Sequence, residues 1–367
     1  MIPDADLLAA VETRQADAVN VMRFVHGHPE LGHEEHECSR FVAERLESAG
    51  FTVERGACGM ETAFRAALDG GSGPGKTVGL VCLYDAVPAV RPDGTIEPVH
   101  SCGHGPIAGG VTAAALALAD HRESLSGRVV VVGCPADEIH APAAAERGGG
   151  KALSAASGLW DDVDAALYAH PEFIDTVSLQ SRWMQRLRLL MSGNRSLSGD
   201  PEPPLQAASA VLAANELDVM VERVHLDGDV EEGTGLAVRA DVLVFADSES
   251  ELKARAAAVK DRVHRGEWTE GRVVQGVRPA DEVRSAVASA FAAAGRSFVP
   301  DPPPLPFATD FGNISHRVPA ALIGVGRQEG WKFHTDEGAA EFASDAGVDA
   351  AMTIARVLAL SAIRLGA

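Results

Sequence analysis

The stretch His100-Ser101-Cys102-Gly103-His104-Gly105-Pro106 packs one thiol and two imidazoles together, directly ahead of a run of small residues at helical spacing. In an extended segment, side chains two apart face the same side, so Cys102 and His104 can reach one ion while Gly103 lets the backbone turn. A thiolate, an imidazole and nearby carboxylates suit zinc or manganese better than magnesium or calcium. An isolated Cys-x-His is more often a buried cysteine beside a surface histidine. Here further ligand candidates follow at the ends of later strand-like runs, which decides for a metal site in an α/β fold.

Working outward, the spacing predicts a strand over 77–84 that runs into Asp85-Ala86-Val87-Pro88. A helix of small residues over 107–119 follows, then a strand over 128–134 ending in Pro135-Ala136-Asp137-Glu138. Two adjacent carboxylates at a strand end are explained if one binds metal and the other handles protons. Gly148-Gly149-Gly150-Lys151 opens a helix, and a strand over 163–169 delivers His170-Pro171. Upstream, a helix over 6–25 is broken by His28-Pro29-Glu30-Leu31-Gly32; a helix over 35–49 and strands over 51–55 and 61–68 come next.

After residue 178 the pattern changes to strands over 183–191, 219–226 and 236–245, helices over 205–214 and 251–263, and 272–277 beyond them. This predicts an inserted α+β domain over 179–278, between catalytic segments 1–178 and 279–367. The last segment holds a helix over 281–294, the rigid Pro302-Pro303-Pro304 run, the loop Thr309-Asp310-Phe311-Gly312-Asn313, a strand over 320–325, His334-Thr335 and a helix over 343–365.

The 367 residues favour two domains, and a hydrophobic share of 46% can bury both. Acidic residues outnumber basic ones, 52 against 32, which argues against nucleic acid as a partner. Five widely spaced cysteines, with no basic apolar leader and no stretch read as long enough to cross a bilayer, predict a reduced, cytoplasmic chain away from membranes.

The ordered motifs resemble the M20 peptidase family, in particular its D subgroup of aminobenzoyl-glutamate hydrolases and β-alanyl dipeptidases. Those motifs are His28 to Gly32, Tyr84 to Pro88, His100 to His104, Pro135 to Glu138, the Gly-Gly-Gly-Lys turn, His170-Pro171, Thr309 to Ser315 and His334-Thr335. The resemblance implies an α/β dimetal exopeptidase-like catalytic domain with an inserted lid domain that mediates homodimerisation. It implies two divalent ions, zinc or manganese first and cobalt or nickel next, held by a bridging Cys102 with His104, Glu138, His170 and His334. Asp137 is then the general base and Asp85 the group that orients a ligand. The implied reaction is hydrolysis of the C–N bond of an amide, dipeptide or N-acyl conjugate by metal-activated water.

Departures from the family accompany it. The base position carries Asp137 rather than Glu, and Gly105 follows where relatives carry Asn or Asp. Leu197 occupies the place of the family's lid histidine, and Gly233-Thr234-Gly235-Leu236 lacks an Ala-Pro-Asn step. Three readings follow: amide hydrolysis with Asn194 or Arg195 replacing the lost group; deamination of an activated aromatic amine such as a nitroanthranilate; or a non-catalytic metal-binding dimer. Retention of all five ligands weighs against the third. His140, Asn313 and His316 are further substrate-side candidates. The run Glu34-Glu35-His36-Glu37 reads as a solvated helix start, and His33, His36, His121, His225 and His264 as surface or satisfied core histidines.

Overall fold

The structure is a computed structural model that describes residues 2–193, 203–213, 218–228, 236–263 and 266–366. Asn194, Arg195, Leu197, the 233–235 step and His264 lie outside the described residues. Two compact units are present: unit 1 is Met1–Gln180, Val277–Pro304 and Asp310–Ala367, and unit 2 is Ser181–Gly276 and Leu305–Thr309.

Unit 1 opens with α1 (Asp4–Thr13), α2 (Gln15–Gly27) and α3 (His36–Ser48), then β1 (Thr52–Arg55), β2 (Phe64–Asp69) and β3 (Thr77–Cys82). The hairpin β4 (Val87–Val90) and β5 (Ile96–Val99) precedes α4 (His104–Asp120), β6 (Arg128–Gly133), α5 (Pro142–Arg147), α6 (Gly150–Ala156) and β7 (Ala165–Glu172). Unit 2 contributes β8 (Trp183–Gly193), α7 (Pro203–Leu212), β9 (Val219–Asp227), β10 (Leu236–Ala246), α8 (Glu249–Asp261) and β11 (Glu267–Glu270). The chain returns to unit 1 through α9 (Asp281–Ala293), α10 (Phe311–Ser315), β12 (Ala320–Gly326), α11 (Asp336–Phe342) and α12 (Asp345–Gly366).

The unit 1 sheet has the order β1-β2-β6-β3-β7-β12, antiparallel from β1 to β6 and parallel from β6 to β12. Strands β3 and β6 are buried almost end to end, which is why they read as unbroken apolar runs rather than alternating ones. After β3 the chain goes to β6 on one side and then to β7 on the other, so the direction of winding reverses around β3. Open α/β sheets bind ligands at the carboxyl ends of strands flanking such a reversal. Nearly all of α4 is buried, because its Ala and Gly surface allows α2 and α12 to pack close to it.

In unit 2 the sheet order is β11-β8-β10-β9, all antiparallel. Leu187, Leu189, Val238, Val242, Leu252 and Val259 form its core, and Ser248 caps α8 by accepting the Glu251 amide at 3.3 Å.

The structure departs from or adds to the sequence pattern in four places. The helix over 6–25 is two helices divided at Arg14, whose backbone leaves helical geometry. The β4–β5 hairpin has no counterpart in the sequence pattern, because Pro88 and Pro98 mimic a loop; an isolated two-stranded ribbon tolerates proline. The last strand of unit 2 is β11, whereas Val274 within 272–277 makes only an isolated bridge to Met184. Finally, α12 has 22 residues and a window of mean hydropathy 1.5, long and apolar enough to cross a membrane. In this fold 78% of that window is buried, as befits a core helix.

Candidate metal centre

Each expected ligand reaches the site from a different element. Gly103, at φ +91, turns the chain from β5 into α4 and sets Cys102 and His104 on either side of the helix start. Glu138 follows β6, His170 lies in β7, and His334 lies between β12 and α11. The His334 amide donates to Ser101 O at 2.9 Å, which ties this late loop to the Cys102 turn. His334 holds φ +59, a strained value for a residue with a side chain, and that backbone bond helps to hold it.

Cys102 Sγ lies 3.7 Å from His170 Nε2 and 3.4 Å from His334 Nε2. Glu138 Oε1 is 3.9 Å from His104 Nε2 and 3.7 Å from His334 Nε2. Three overlapping groups emerge: Cys102 with His104 and His170, Cys102 with Glu138 and His334, and His104 with Asp137 and Glu138. Within each, the ligand atoms fall within 4.8 Å of one another.

In His104 and His170 the ring nitrogen facing away from the cluster is already engaged. His104 donates Nδ1–H to Asp85 O at 2.6 Å, with Asp85 Oδ1 3.0 Å away. His170 donates Nδ1–H to Pro171 O at 2.7 Å, with Glu172 Oε1 at 3.4 Å. Donation from Nδ1 leaves Nε2 with its lone pair aimed inward, the usual arrangement behind metal-binding histidines. Asp85 Oδ2 also accepts the Glu138 amide at 2.8 Å, so one buried carboxylate orients two ligands.

His104 Nε2 and Glu138 Oε1 are buried without hydrogen-bond partners. Buried polar atoms are rarely left so, and a soft-plus-borderline set of one thiolate, three imidazoles and a carboxylate suits a divalent transition metal. The residues therefore fit the metal that the sequence implies.

Charge balance agrees. Burial pushes the Cys102 thiol up, but His104, His170 and His334 more than offset this and hold it well below the ordinary value. Burial works against a charged His170, yet Cys102 and Glu172 push it up to about 10. Burial and the neighbouring Cys102 raise Glu138 well above the usual carboxyl range. Without a cation the cluster holds protons, which metal binding releases.

Asp137 sits beside this group, Oδ2 3.3 Å from His104 Nε2. Its Oδ1 meets the ammonium of Lys151, which is fully buried and also lies 2.8 Å from Asp310 Oδ1. Burial opposes the Asp137 charge, but Lys151 and His104 prevail and hold it far below the usual range. Lys151 and Asp310 fall inside sequence motifs that by themselves assign them no role. A Gly-rich turn opening a helix is the available signal, but nothing in it announces burial of the lysine.

The remaining candidates do not enter the cluster. His140 is exposed in the turn after Glu138, and Asn313 and His316 are half-buried on and just past α10. All five cysteines are free. Glu35, expected in a solvated run, is instead completely buried, and His33 is buried with Nε2 2.8 Å from Gly148 O.

The fold and donor set define an α/β metal-binding protein of the exopeptidase-like kind. The chain belongs to the peptidase family M20/M25/M40, whose pattern matches residues 84–361. It is 34% identical over 175 residues to a p-aminobenzoyl-glutamate hydrolase chain of Escherichia coli, covering 44% of this chain and 34% of that one. The chain thus spans about a third of the length of that curated relative. It is 24% identical over 359 residues to N-acetyl-L-cysteine deacetylase of Bacillus subtilis, covering 88% and 83% of the two chains. A dinuclear metal-binding peptidase of the M20 family from Bacillus subtilis has the same fold, with TM-score 0.69 at 18% identity, covering 96% of this chain and 98% of that one.

Proposed function

We propose that this protein is a metal-dependent amidohydrolase that cleaves the C–N bond of an amide, dipeptide or N-acyl amino acid. The observation that carries this reading is the convergence of Cys102, His104, Glu138, His170 and His334, with two of their donor atoms buried and unpartnered. Membership of the peptidase family, and similarity to hydrolases of aminobenzoyl-glutamate and N-acetyl-cysteine, support the reaction class.

Two ions fit the donor arrangement, because Cys102 is common to a group with His104 and His170 and a group with Glu138 and His334. Zinc or manganese suits these donors, and cobalt or nickel would serve as well. When bound, such ions polarise a carbonyl and acidify water. Asp85 keeps the His104 ring and the Glu138 backbone in register. Asp137 takes the proton lost by the attacking water as the C–O bond forms, and hands it to the nitrogen as the C–N bond breaks. Held ionised by Lys151, it accepts a proton less readily and gives one up more readily, which suits delivery to the departing amine.

Unit 2 is proposed as the dimerisation domain; β9 is outermost in its sheet, with Met220 and Leu226 exposed. Light scattering in solution tests this, and a monomer at all concentrations would refute it.

Metal analysis of the purified protein, followed by amine and ammonia release assays on dipeptides, acyl-amino acids and arylamines, tests the activity. Release of an amino acid from a conjugate supports the proposal. Ammonia from an arylamine would move it to aromatic deamination, and metal-replete protein inert on every class would overturn it.

A further inference from the structure

The loop between α2 and α3, which contains the His28 to Gly32 motif, has no part in the chemistry above. It nevertheless touches the two strand-end corners that supply Asp85 and the Asp137-Glu138 pair. Glu30 O accepts the Ala86 amide at 2.8 Å, while the Glu30 carboxylate accepts the Glu37 and Cys38 amides, each at 2.9 Å, at the start of α3. His33 reaches Gly148 O, just ahead of the helix that carries Lys151.

Glu35 is the deepest of these contacts. Its Oε1 accepts the Ala136 amide at 2.8 Å and its Oε2 accepts the Thr62 hydroxyl at 2.8 Å; Thr62 O in turn accepts Tyr84 O–H at 2.6 Å. Glu35, Thr62, Tyr84 and Ala136 are all buried. Ala136 sits at φ +57, a left-handed conformation that costs an L-residue roughly 1–2 kcal/mol and persists only when its surroundings impose it. Ala136 immediately precedes Asp137 and Glu138.

We propose that Glu35 is a positioning residue for the metal centre: by accepting the Ala136 amide it imposes the left-handed corner from which Asp137 and Glu138 face the other ligands. A Cβ on Gly32 would stand 2.8 Å from both Cα and Cβ of Ala136, so the same loop also packs directly on that corner. Removing the acceptor leaves a buried N–H unpaired, and the corner relaxes toward ordinary backbone geometry. Glu138 then moves away from His104 and His334. This inference rests on the metal-site reading above.

The test is Zn(II) affinity by chelator competition, on protein shown to be folded by near-UV circular dichroism. Glu35→Met keeps the length and removes the acceptor, and is expected to weaken binding about 10- to 100-fold, as loss of outer support typically does. Glu35→Gln keeps an acceptor oxygen and is expected to stay close to wild type. Folded Glu35→Met binding Zn(II) as tightly as wild type would overturn the inference, and so would Glu35→Gln weakened as much as Glu35→Met. Where Glu35→Met does not fold, Gly32→Ala carries the test, with weakened Zn(II) binding expected and unchanged binding contradicting it. Wild type that binds no Zn(II) brings down the metal-site reading together with this one. Wild type that binds, with variants that match it, brings down only this one.

Discussion

Lys151 and Asp310 meet at 2.8 Å with both side chains buried, although 158 residues of chain separate α6 from the Asp310 loop at Ala152. Asp310 Oδ2 also accepts the Ala152 amide at 2.9 Å, so the loop clasps the start of α6 twice. Because the same ammonium holds Asp137, this pair links the late loop to the carboxylate beside the candidate metal ligands.

Lys151→Met leaves the buried Asp310 carboxylate and the partly buried Asp137 carboxylate facing one another without a cation. Breaking a buried pair from one side costs about 3–5 kcal/mol. Urea unfolding of metal-free protein is expected to show a loss of that order, and the double variant Lys151→Met with Asp310→Asn is expected to recover part of it. An unchanged unfolding midpoint in the single variant would show that the lysine is solvated.

Asp85→Ala removes the group that fixes the His104 ring and accepts the Glu138 amide. Metal affinity is expected to drop about 10- to 100-fold. Calorimetric metal titration checks this, and wild-type affinity would remove Asp85 from the orienting role.

Cys102→Ala and Asp137→Asn separate binding from turnover. Loss of the sulfur shared by two ligand groups is expected to lower metal stoichiometry in elemental analysis. Asp137→Asn retains an acceptor for Lys151 and is expected to keep its metal while kcat falls by about two orders of magnitude or more. A variant with wild-type turnover would exclude Asp137 as the proton carrier.

Burial and the nearby Asp85 push the Glu35 carboxyl from 4.5 up to about 8. Between those values the folded protein holds a proton that the unfolded chain releases. Its stability contribution is therefore fully present below pH 4.5 and is lost as pH rises toward 8, at no more than about 1.4 kcal/mol per pH unit. Glu35→Gln cannot titrate. Metal-free wild type is thus expected to lose stability relative to Glu35→Gln as pH rises through that window, and a difference in unfolding free energy independent of pH would contradict it.

The local pattern already carried much of this molecule. Apolar runs ending in Asp85, Asp137-Glu138 and His170 identified buried strands and the end of the sheet where these side chains gather, because burial on both faces leaves an unbroken run in the chain itself. The spacing of Cys102 and His104 likewise announced that the two side chains meet in one cluster of candidate ligands. What the chain could not announce was the fate of individual charges. Glu35 looks like any helix-start acid and Lys151 like any lysine after a Gly-rich turn, yet both are buried. A titratable group is buried only where partners meet it: the Ala136 amide and Thr62 meet the Glu35 carboxyl, and Asp137 and Asp310 meet the Lys151 ammonium, all brought from distant segments by the packing of the sheet. Sequence by itself therefore carried the class of fold, which depends on periodicity, and through its resemblance to a family pattern it named the candidate ligands that meet in one cluster. Only the tertiary structure decided which acids and bases support the metal centre, because that depends on who is left to neutralise a charge once water is gone.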